Sequence, residues 1–250
     1  MCQEHKNCHP ESIGVDVRNR LLSAFGDDVL RQLEPNIAEV SLSVGRVIGE
    51  PGEPITNVYF PTSGVVSIVT LLHDGSRVES LTVGREGAVG LLTAFGDGRS
   101  ASRNVVQIAG AAVRIEAREL RAAVRDHPII GETVHRYAQV TEAQLHQAAA
   151  CNAMHSIEAR LCRWLLTCED RVGDNVLPLT QEFLAMMLGV QRTSVTTAAQ
   201  ALQRRGLIEY RRGLIAVLDR RGMEQKSCEC YGAVEDIYGR VFPTPAELSK

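Results

Sequence analysis

The sequence predicts an α+β protein: an amino-terminal antiparallel β-roll of the jelly-roll type, a long dimerisation helix, and a carboxy-terminal winged helix-turn-helix. Three observations support this fold class. Short β-like runs fill residues 38–115, an unbroken helical pattern covers 129–151, and two helical segments followed by a hairpin pattern occupy 179–219. A chain of 250 residues is long enough for two domains with separate cores. The predicted parts are a flexible arm (1–16), a β-roll domain (17–127), a long helix with its hinge (128–155) and the winged helix-turn-helix domain with its tail (156–250).

Composition and charge place the chain in a broad class. The formal net charge of −3 excludes a uniformly basic coat for nucleic acid but permits a local basic patch. No apolar run is long enough to span a membrane, and the first residues lack the apolar core of a signal peptide. Seven cysteines form an odd set without a regular disulfide pattern, which favours a reducing compartment. We therefore expect a cytoplasmic protein with no membrane association.

The β-roll is predicted from the texture of residues 38–115, which follow a helical pattern over 17–35. Its apolar runs are NVYFP, GVVSIVTLL, VESLTVG and VVQIAGAAVRI. The turn-forming segments among them are EPGEP, PTSG, HDGS and FGDG. Because the runs are short and the intervening residues favour turns, this spacing indicates a small all-β roll or barrel.

The long helix is predicted after EARELRAAVRDHP, a shorter helical pattern that stops before Pro128. Apolar and small residues recur along it at alternating steps of four and three, the spacing of a coiled-coil seam. We expect a dimer interface there, because small side chains allow two helices to approach closely. The alternative is an ordinary amphipathic helix lying on the β-roll. The predicted seam consists of Val134, Ala138, Thr141, Leu145 and Ala148.

Two helices joined by a tight turn are predicted between residues 180 and 204. Thr180 can cap a first helix over 181–188, and Gly189 stands where the turn needs a positive φ. Ser156 is predicted to cap the helix that precedes this pair. In the second helix, apolar residues at i, i+3, i+4 and i+7 form one buried face. They are Val195, Ala198, Ala199 and Leu202.

The opposite face of the second helix carries hydrogen-bonding groups and very little charge. Arginine can donate two hydrogen bonds to guanine, threonine and glutamine can reach other base edges, and a threonine methyl can contact thymine. This composition predicts a helix that reads bases in a DNA groove. The candidate base-reading residues are Arg192, Thr193, Thr196, Thr197 and Gln200.

A basic hairpin follows the second helix, in LIEYRRGLIAVLD. Between Thr180 and Arg221 seven arginines stand against three acidic residues, so this segment is positive in a chain that is negative overall. Arginines beside a nearly neutral reading helix are typical of phosphate contacts that position a protein on DNA. The alternative is a winged helix used only for protein contacts. The candidate phosphate contacts are Thr180, Gln181, Arg204, Arg205, Arg211 and Arg212.

With its parts in this order, the chain resembles the Crp/Fnr family of bacterial transcription regulators over about residues 20–220. The most specific motifs are LTQEFLAMMLGVQRTSVTTAAQALQRRGLI and HSIEARLCRWLL, while VGRVIGEPGEPITNVYFPTSGVVSI is similar to the family's cyclic-nucleotide-binding-type roll. The resemblance implies a homodimer that binds palindromic DNA through helices about 34 Å apart and works with RNA polymerase. Arg192 falls on the family's base-reading arginine. Thr193 replaces a frequent glutamate and Thr197 an arginine of the activator branch, so the operator sequence does not transfer.

The resemblance implies a sensor role for the β-roll without naming an effector. In the cyclic-AMP-binding branch a glutamate follows a glycine, and an Arg-Ser-Ala element holds the phosphate. Here Leu91 follows Gly90, and the element Arg99–Ser100–Ala101 has a shifted spacing. Arg99 and Ser100 are the candidate contacts to a small effector. The sequence supports no cyclic nucleotide, iron–sulfur cluster or haem, so the cofactor is unknown.

The cysteines and histidines lead to no predicted metal site. Cys2 and Cys8, with neighbouring histidines, form a C-x2-H-x2-C-H arrangement that can bind a metal but is also typical of a loose polar arm. Cys228 and Cys230 can respond to oxidation if they are exposed. The other cysteines are expected to be core or surface residues of helices, and they are Cys151, Cys162 and Cys168.

Enzyme motifs are absent from the sequence. It has no phosphate-binding loop, dinucleotide fingerprint, nucleophile elbow or zinc-protease helix, so no enzyme is predicted. We predict a dimeric, sequence-specific DNA-binding regulator. The alternative is a cyclic-nucleotide-type module that binds a small ligand and whose carboxy-terminal domain contacts proteins. DNA affinity that falls steeply with salt would distinguish the first from the second.

Overall fold

The computed structural model describes residues 18–243 and begins with two short helices. They are α1 (Arg20–Ser23) and α2 (Asp27–Leu33), followed by a 3-10 turn over 34–36. The predicted helix over 17–35 is therefore interrupted. Its apolar residues are buried against the sheet that follows, and they include Leu21, Leu22, Phe25 and Leu30.

The β domain consists of two antiparallel sheets, which confirms the predicted roll. One sheet has three strands in the order β1-β7-β3, and the other has four in the order β2-β6-β4-β5. Val58 and Phe60 of β3 pack with Ile115 of β7 and with the two opening helices in one core cluster. The elements are β1 (Ile37–Leu42), β2 (Val47–Gly49), β3 (Asn57–Pro61), β4 (Val65–Leu71), β5 (Arg77–Val83), α3 (Leu91–Phe95), β6 (Arg103–Ile108) and β7 (Gly110–Glu116).

Two helices leave the roll, α4 (Ala117–Ala123) and the 27-residue α5 (Pro128–Met154). The first half of α5 lies on the roll and buries Ile130, Val134 and Tyr137 in the same core. Val134, the first residue of the predicted seam, is only 7% exposed and packs within its own chain. The predicted seam is therefore wrong at this residue. Leu145, by contrast, is 41% exposed. The remaining seam residues are half-buried, and they are Ala138, Thr141 and Ala148.

The carboxy-terminal unit is a winged helix-turn-helix, as predicted. Ser156 caps α6 by accepting a hydrogen bond from the backbone N–H of Ala159. A three-stranded sheet in the order β8-β10-β9 packs beside the helices, and β9 and β10 form the wing. The elements are α6 (Ile157–Val172), β8 (Val176–Pro178), α7 (Gln181–Leu188), α8 (Arg192–Arg204), β9 (Ile208–Arg211) and β10 (Leu214–Val217).

The last helix returns to the β-roll, which the sequence did not indicate, whereas the helix before it packs on α6. Helix α9 covers Arg220–Lys226, and α10 covers Cys230–Val241 and packs along α5. Tyr238 and Phe242 join the core of the roll, where the Arg20 guanidinium carbon lies 4.9 Å from the Tyr238 ring centroid. This part of the predicted tail therefore connects the DNA-binding unit back to the β-roll.

Side chains of α6 also connect the DNA-binding unit to strand β5. The Trp164 indole N–H donates to Glu79 Oε1 at 3.0 Å, and Arg171 Nη2 lies 2.7 Å from Glu86 Oε1. The second carboxylate oxygen of Glu79 is enclosed and has no hydrogen-bond partner. Desolvation raises the pKa of Glu79 to about 8, against the opposing effect of the hydrogen bond from Trp164. At neutral pH this carboxyl group is therefore mainly protonated.

We predict that this contact makes stability depend on pH. Because the folded state holds the Glu79 proton more tightly than the unfolded state, the free energy of unfolding should fall between pH 4.5 and about pH 8. Glu79→Gln should flatten that fall, as measured by urea unfolding across the range. The fluorescence of Trp164, the one tryptophan in the sequence, should titrate near pH 8 in the native chain and not in the variant. Parallel curves for the two proteins would contradict the assignment.

Candidate nucleic-acid interface

The turn between α7 and α8 is built by local hydrogen bonds and one glycine. The Thr180 hydroxyl accepts from the Phe183 backbone N–H at 3.2 Å and caps α7. Gly189 ends α7 with φ 60°, a left-handed conformation that a side chain would strain. The Val190 N–H then donates to the Ala185 carbonyl at 3.0 Å, which starts the chain toward α8. Both predicted signals, the cap and the glycine turn, are present in the structure.

One face of α8 packs in the core of the winged helix-turn-helix unit. Val195 and Leu202 are fully buried, and Ala199 is 2% exposed, where α8 crosses α6 and α7. Small side chains at Ala198 and Ala199 allow this close crossing. With its inner face fixed in this way, α8 must present its other side outward.

The outward side of α8 is polar and carries one formal charge before its last turn. Arg192, Thr193, Thr197 and Gln200 are exposed, as expected for residues that contact DNA. Thr196 is half-buried, and its hydroxyl lies 3.0 Å from Gln181 Oε1.

Gln181 holds the two helices in register. Arg192 Nε donates to the same oxygen of Gln181 at 3.4 Å. The amide of Gln181 thus links α7 to two predicted base-reading residues, Arg192 and Thr196. In this structure it acts as a positioning group.

The predicted phosphate contacts have different surroundings. Arg204, Arg211 and Arg212 are exposed, and the last two stand at the tip of the wing. Positive φ values at Arg212 (50°) and Gly213 (80°) form the tight turn of this hairpin. Arg205, although exposed, is paired with Glu158 of α6.

Arg220, counted in the positive charge of the segment, is a structural residue. Its guanidinium lies 2.9 Å from Glu169 and 2.8 Å from Asp170, and it donates to the Tyr231 hydroxyl at 2.7 Å. It therefore joins α6, α9 and α10. The positive charge available to DNA is smaller than the sequence count.

Comparisons with known proteins agree with both halves of this architecture. Residues 39–127 match the family model of the cyclic nucleotide-binding domain, and residues 159–226 match that of the Crp-like helix-turn-helix domain. The chain belongs to the Crp/Fnr family of transcription regulators. As a member of that family it is a DNA-binding transcription regulator and not an enzyme.

The relatives of this Crp/Fnr protein are distant in sequence but similar over most of their length. A CRP-like cAMP-activated global transcriptional regulator of Mycobacterium tuberculosis is 24% identical over 204 residues, 79% of this chain and 89% of the relative. The structure of FixK2 from Bradyrhizobium japonicum has a TM-score of 0.67 at 16% identity. The match covers 77% of this chain and 98% of the FixK2 chain. A CRP-family transcriptional regulator of Thermus thermophilus, TTHB099, has a TM-score of 0.62 at 21% identity. The match covers 75% of this chain and 96% of TTHB099.

The candidate effector residues of this Crp/Fnr chain form hydrogen bonds within their own loop and with the neighbouring loop that contains Gly52. Arg99 Nη1 donates to the Gly52 carbonyl at 2.8 Å, and its backbone N–H donates to Asp97 at 3.0 Å. The buried Ser100 hydroxyl donates to the Ser102 carbonyl at 2.8 Å. These contacts give Arg99 and Ser100 a structural role.

The described cysteines are all buried, and none of them forms a disulfide bond. Burial raises the pKa of Cys162 to about 12, so this thiol is a poor nucleophile at neutral pH. Cys228 and Cys230, which were expected to respond to oxidation if exposed, are also buried. Cys2 and Cys8 lie outside the described residues. Within 18–243, no helix combines the length and apolar character needed to cross a bilayer.

Proposed function

We propose that this regulator binds a palindromic DNA operator as a homodimer, with α8 of each protomer in the major groove. The observation that carries the proposal is the division of α8 into a fully buried apolar face and an exposed face of hydrogen-bonding groups. A nearly uncharged polar face matches base edges, which offer donors, acceptors and methyl groups. The proposed base-reading residues are Arg192, Thr193, Thr196, Thr197 and Gln200.

Phosphate contacts would surround this reading helix. Arg204 at the end of α8 and the wing-tip pair Arg211 and Arg212 are exposed and suited to that role. Thr180 accepts from Phe183 and can still donate its hydroxyl hydrogen to a phosphate. Arg205 is proposed as a weaker contact, because Glu158 already neutralises it in part.

The dimer interface is proposed on the outward side of α5. Leu145 is a large apolar residue at 41% exposure in the second half of the helix. Ala138 and Thr141 precede it on the same side, and their small size permits close helix approach. Burying Leu145 against a second protomer would remove this apolar surface from water.

The remaining assignments follow from this function. A regulator that acts on DNA is proposed to work in the cytoplasm and to influence RNA polymerase. The β-roll is proposed as the sensor for a small effector. The other function, a ligand-binding module whose winged helix contacts only proteins, is less well supported, since it does not explain why the polar face of α8 carries so little charge.

Arg192→Ala tests base reading. The variant should lose about 1–3 kcal/mol of binding free energy per half-site of the selected operator and little on random duplex, because one bidentate contact to a base disappears from each half-site. The operator is first obtained by selection from a random DNA pool, and binding is measured by fluorescence anisotropy. Arg118→Ala, an exposed arginine of the β-roll, serves as the matched control. Equal losses on both DNAs would make Arg192 a phosphate contact.

The wing is tested by salt dependence. The double variant Arg211→Gln/Arg212→Gln should flatten the slope of log affinity against log salt concentration by about 3.6 for the dimer, since two phosphate contacts are lost in each protomer and each removes about 0.9. Arg220→Gln is the control, because that arginine is held by acidic side chains. It should lower the melting temperature and leave the slope unchanged. An unaltered slope in the double variant would remove the wing from the DNA interface.

Leu145→Glu tests the dimer. A charge at this position should convert dimers into monomers, as measured by light scattering after size exclusion, because it cannot be buried in an apolar seam. Gln139→Glu adds the same charge on an exposed position about 120° away around the helix and should leave the mass unchanged. A dimer that persists in Leu145→Glu would place the interface elsewhere.

A further inference from the structure

Four metal-binding side chains meet where α5 ends and α10 begins. Cys151, His155, Cys228 and Cys230 each offer a ligand atom, and all four atoms lie within 4.8 Å of one another. The Cys151 and Cys228 sulfurs are 3.5 Å apart, and Cys230 Sγ is 3.5 Å from His155 Nδ1. The three cysteines are 0–6% exposed, and His155 is half-buried at the rim.

We propose that these four residues form a structural zinc site with three thiolate ligands and one imidazole. In a tetrahedral zinc site, bonds of about 2.3 Å to sulfur and about 2.0 Å to nitrogen place ligand atoms about 3.5–3.8 Å apart. The two 3.5 Å separations fall in this range. The ligands of a multi-iron cluster bind different iron atoms and must stand farther apart, so the close grouping favours one ion.

Backbone geometry brings the ligands together from two directions. Cys151 and His155 are one turn apart on the same side of α5, with His155 as its C-cap. Cys228 and Cys230 flank Glu229, the N-cap residue of the 12-residue helix α10. The partial positive charge at that helix end stabilises thiolates, which are the form that binds zinc.

Neighbouring polar groups orient the ligands as they do in metal sites. His155 Nε2 lies 3.2 Å from Glu229 Oε1, so one ring nitrogen faces a carboxylate while Nδ1 faces the sulfurs. Gln147 Nε2 donates to Cys230 Sγ at 2.9 Å. A purely apolar packing of three small thiols would not require an imidazole and an amide directed at them, with a carboxylate behind the imidazole.

The site is closed and therefore structural. Four protein ligands leave no position for a substrate, unlike catalytic zinc centres with three. The ion would join the end of α5, directly before the first residue of the DNA-binding unit, to the helix that returns to the β-roll. Its role would be to hold this junction in one arrangement.

Zinc titration of the full-length chain tests the site. The reduced protein, stripped with chelator, should bind one Zn²⁺ per chain by native mass spectrometry. Loaded with Co²⁺ instead, it should show the intense d–d absorption of a tetrahedral ion and a thiolate charge-transfer band. Failure of the native chain to bind Zn²⁺, bound iron and sulfide, or a Cys151–Cys228 disulfide after anaerobic purification would each overturn the proposal.

Variants then locate the ion. Cys228→Ser/Cys230→Ser should abolish stoichiometric binding, whereas Cys2→Ser/Cys8→Ser, which removes the amino-terminal C-x2-H-x2-C-H arrangement, should bind as the native chain does. Because ligand variants can unfold, Glu229→Gln provides a milder test at a side chain that is 78% exposed. It should keep the fold, by circular dichroism, and weaken zinc affinity about 10-fold or more. Unchanged affinity in either the Cys228/Cys230 variant or Glu229→Gln would contradict this site.

Discussion

The burial of one face of α8 is the constraint on which the rest of the DNA-binding unit depends. Val195 and Leu202 are fully enclosed by α6 and α7, so rotation of the helix about its axis would expose apolar surface at roughly 1.5–3 kcal/mol per large side chain. The polar side is thereby fixed outward in the absence of DNA. The Gly189 turn sets the angle between the two helices, and Gln181 fixes the register of Arg192 and Thr196. The reading surface is therefore preorganised, and little conformational entropy is left to be lost on binding.

The parts of the fold that the sequence predicts well are those with local causes. The hydroxyl of Thr180 caps its own helix, the φ of Gly189 follows from its missing side chain, and the buried face of α8 follows from helical periodicity. The destination of α10 has no local cause. Its periodicity shows that a face must be buried but not against which partner, and Tyr238 and Phe242 pack in the distant roll. For the same reason, the spacing along α5 did not distinguish Val134, which packs on the roll, from Leu145, which faces outward.

The candidate site shows the same division between local and distant causes. Exposure of Arg192 follows from its position on the helix, whereas the surroundings of Arg205 and Arg220 depend on distant acids. Arg205 meets Glu158, 47 residues earlier, and Arg220 meets Glu169 and Asp170, about 50 residues earlier. A count of charges along a segment treats these side chains as available, although ion pairs in the folded chain already occupy them. The cluster of Cys151 with Cys228, 77 residues apart, was missed because no sequence spacing reveals two segments that meet only in three dimensions.

The orientation of α8 relative to α5 is controlled at the junction between α5 and α6, and not within the reading surface. Helices α5 and α6 are separated by a single break at His155 and Ser156. The angle between α5 and α6 therefore depends on contacts made outside this break. Two sets of contacts supply it: Trp164 and Arg171 against β5, and α10 against α5. A ligand can shift an equilibrium between two orientations of α6 relative to α5 only by the difference in its affinity for those two orientations. An ion bound by residues from both α5 and the start of α10 has that property, because moving the helices apart breaks its coordination. An effector in the β-roll would act through the described contacts between the roll and the DNA-binding helices, which involve β4 and β5 on the side of the roll.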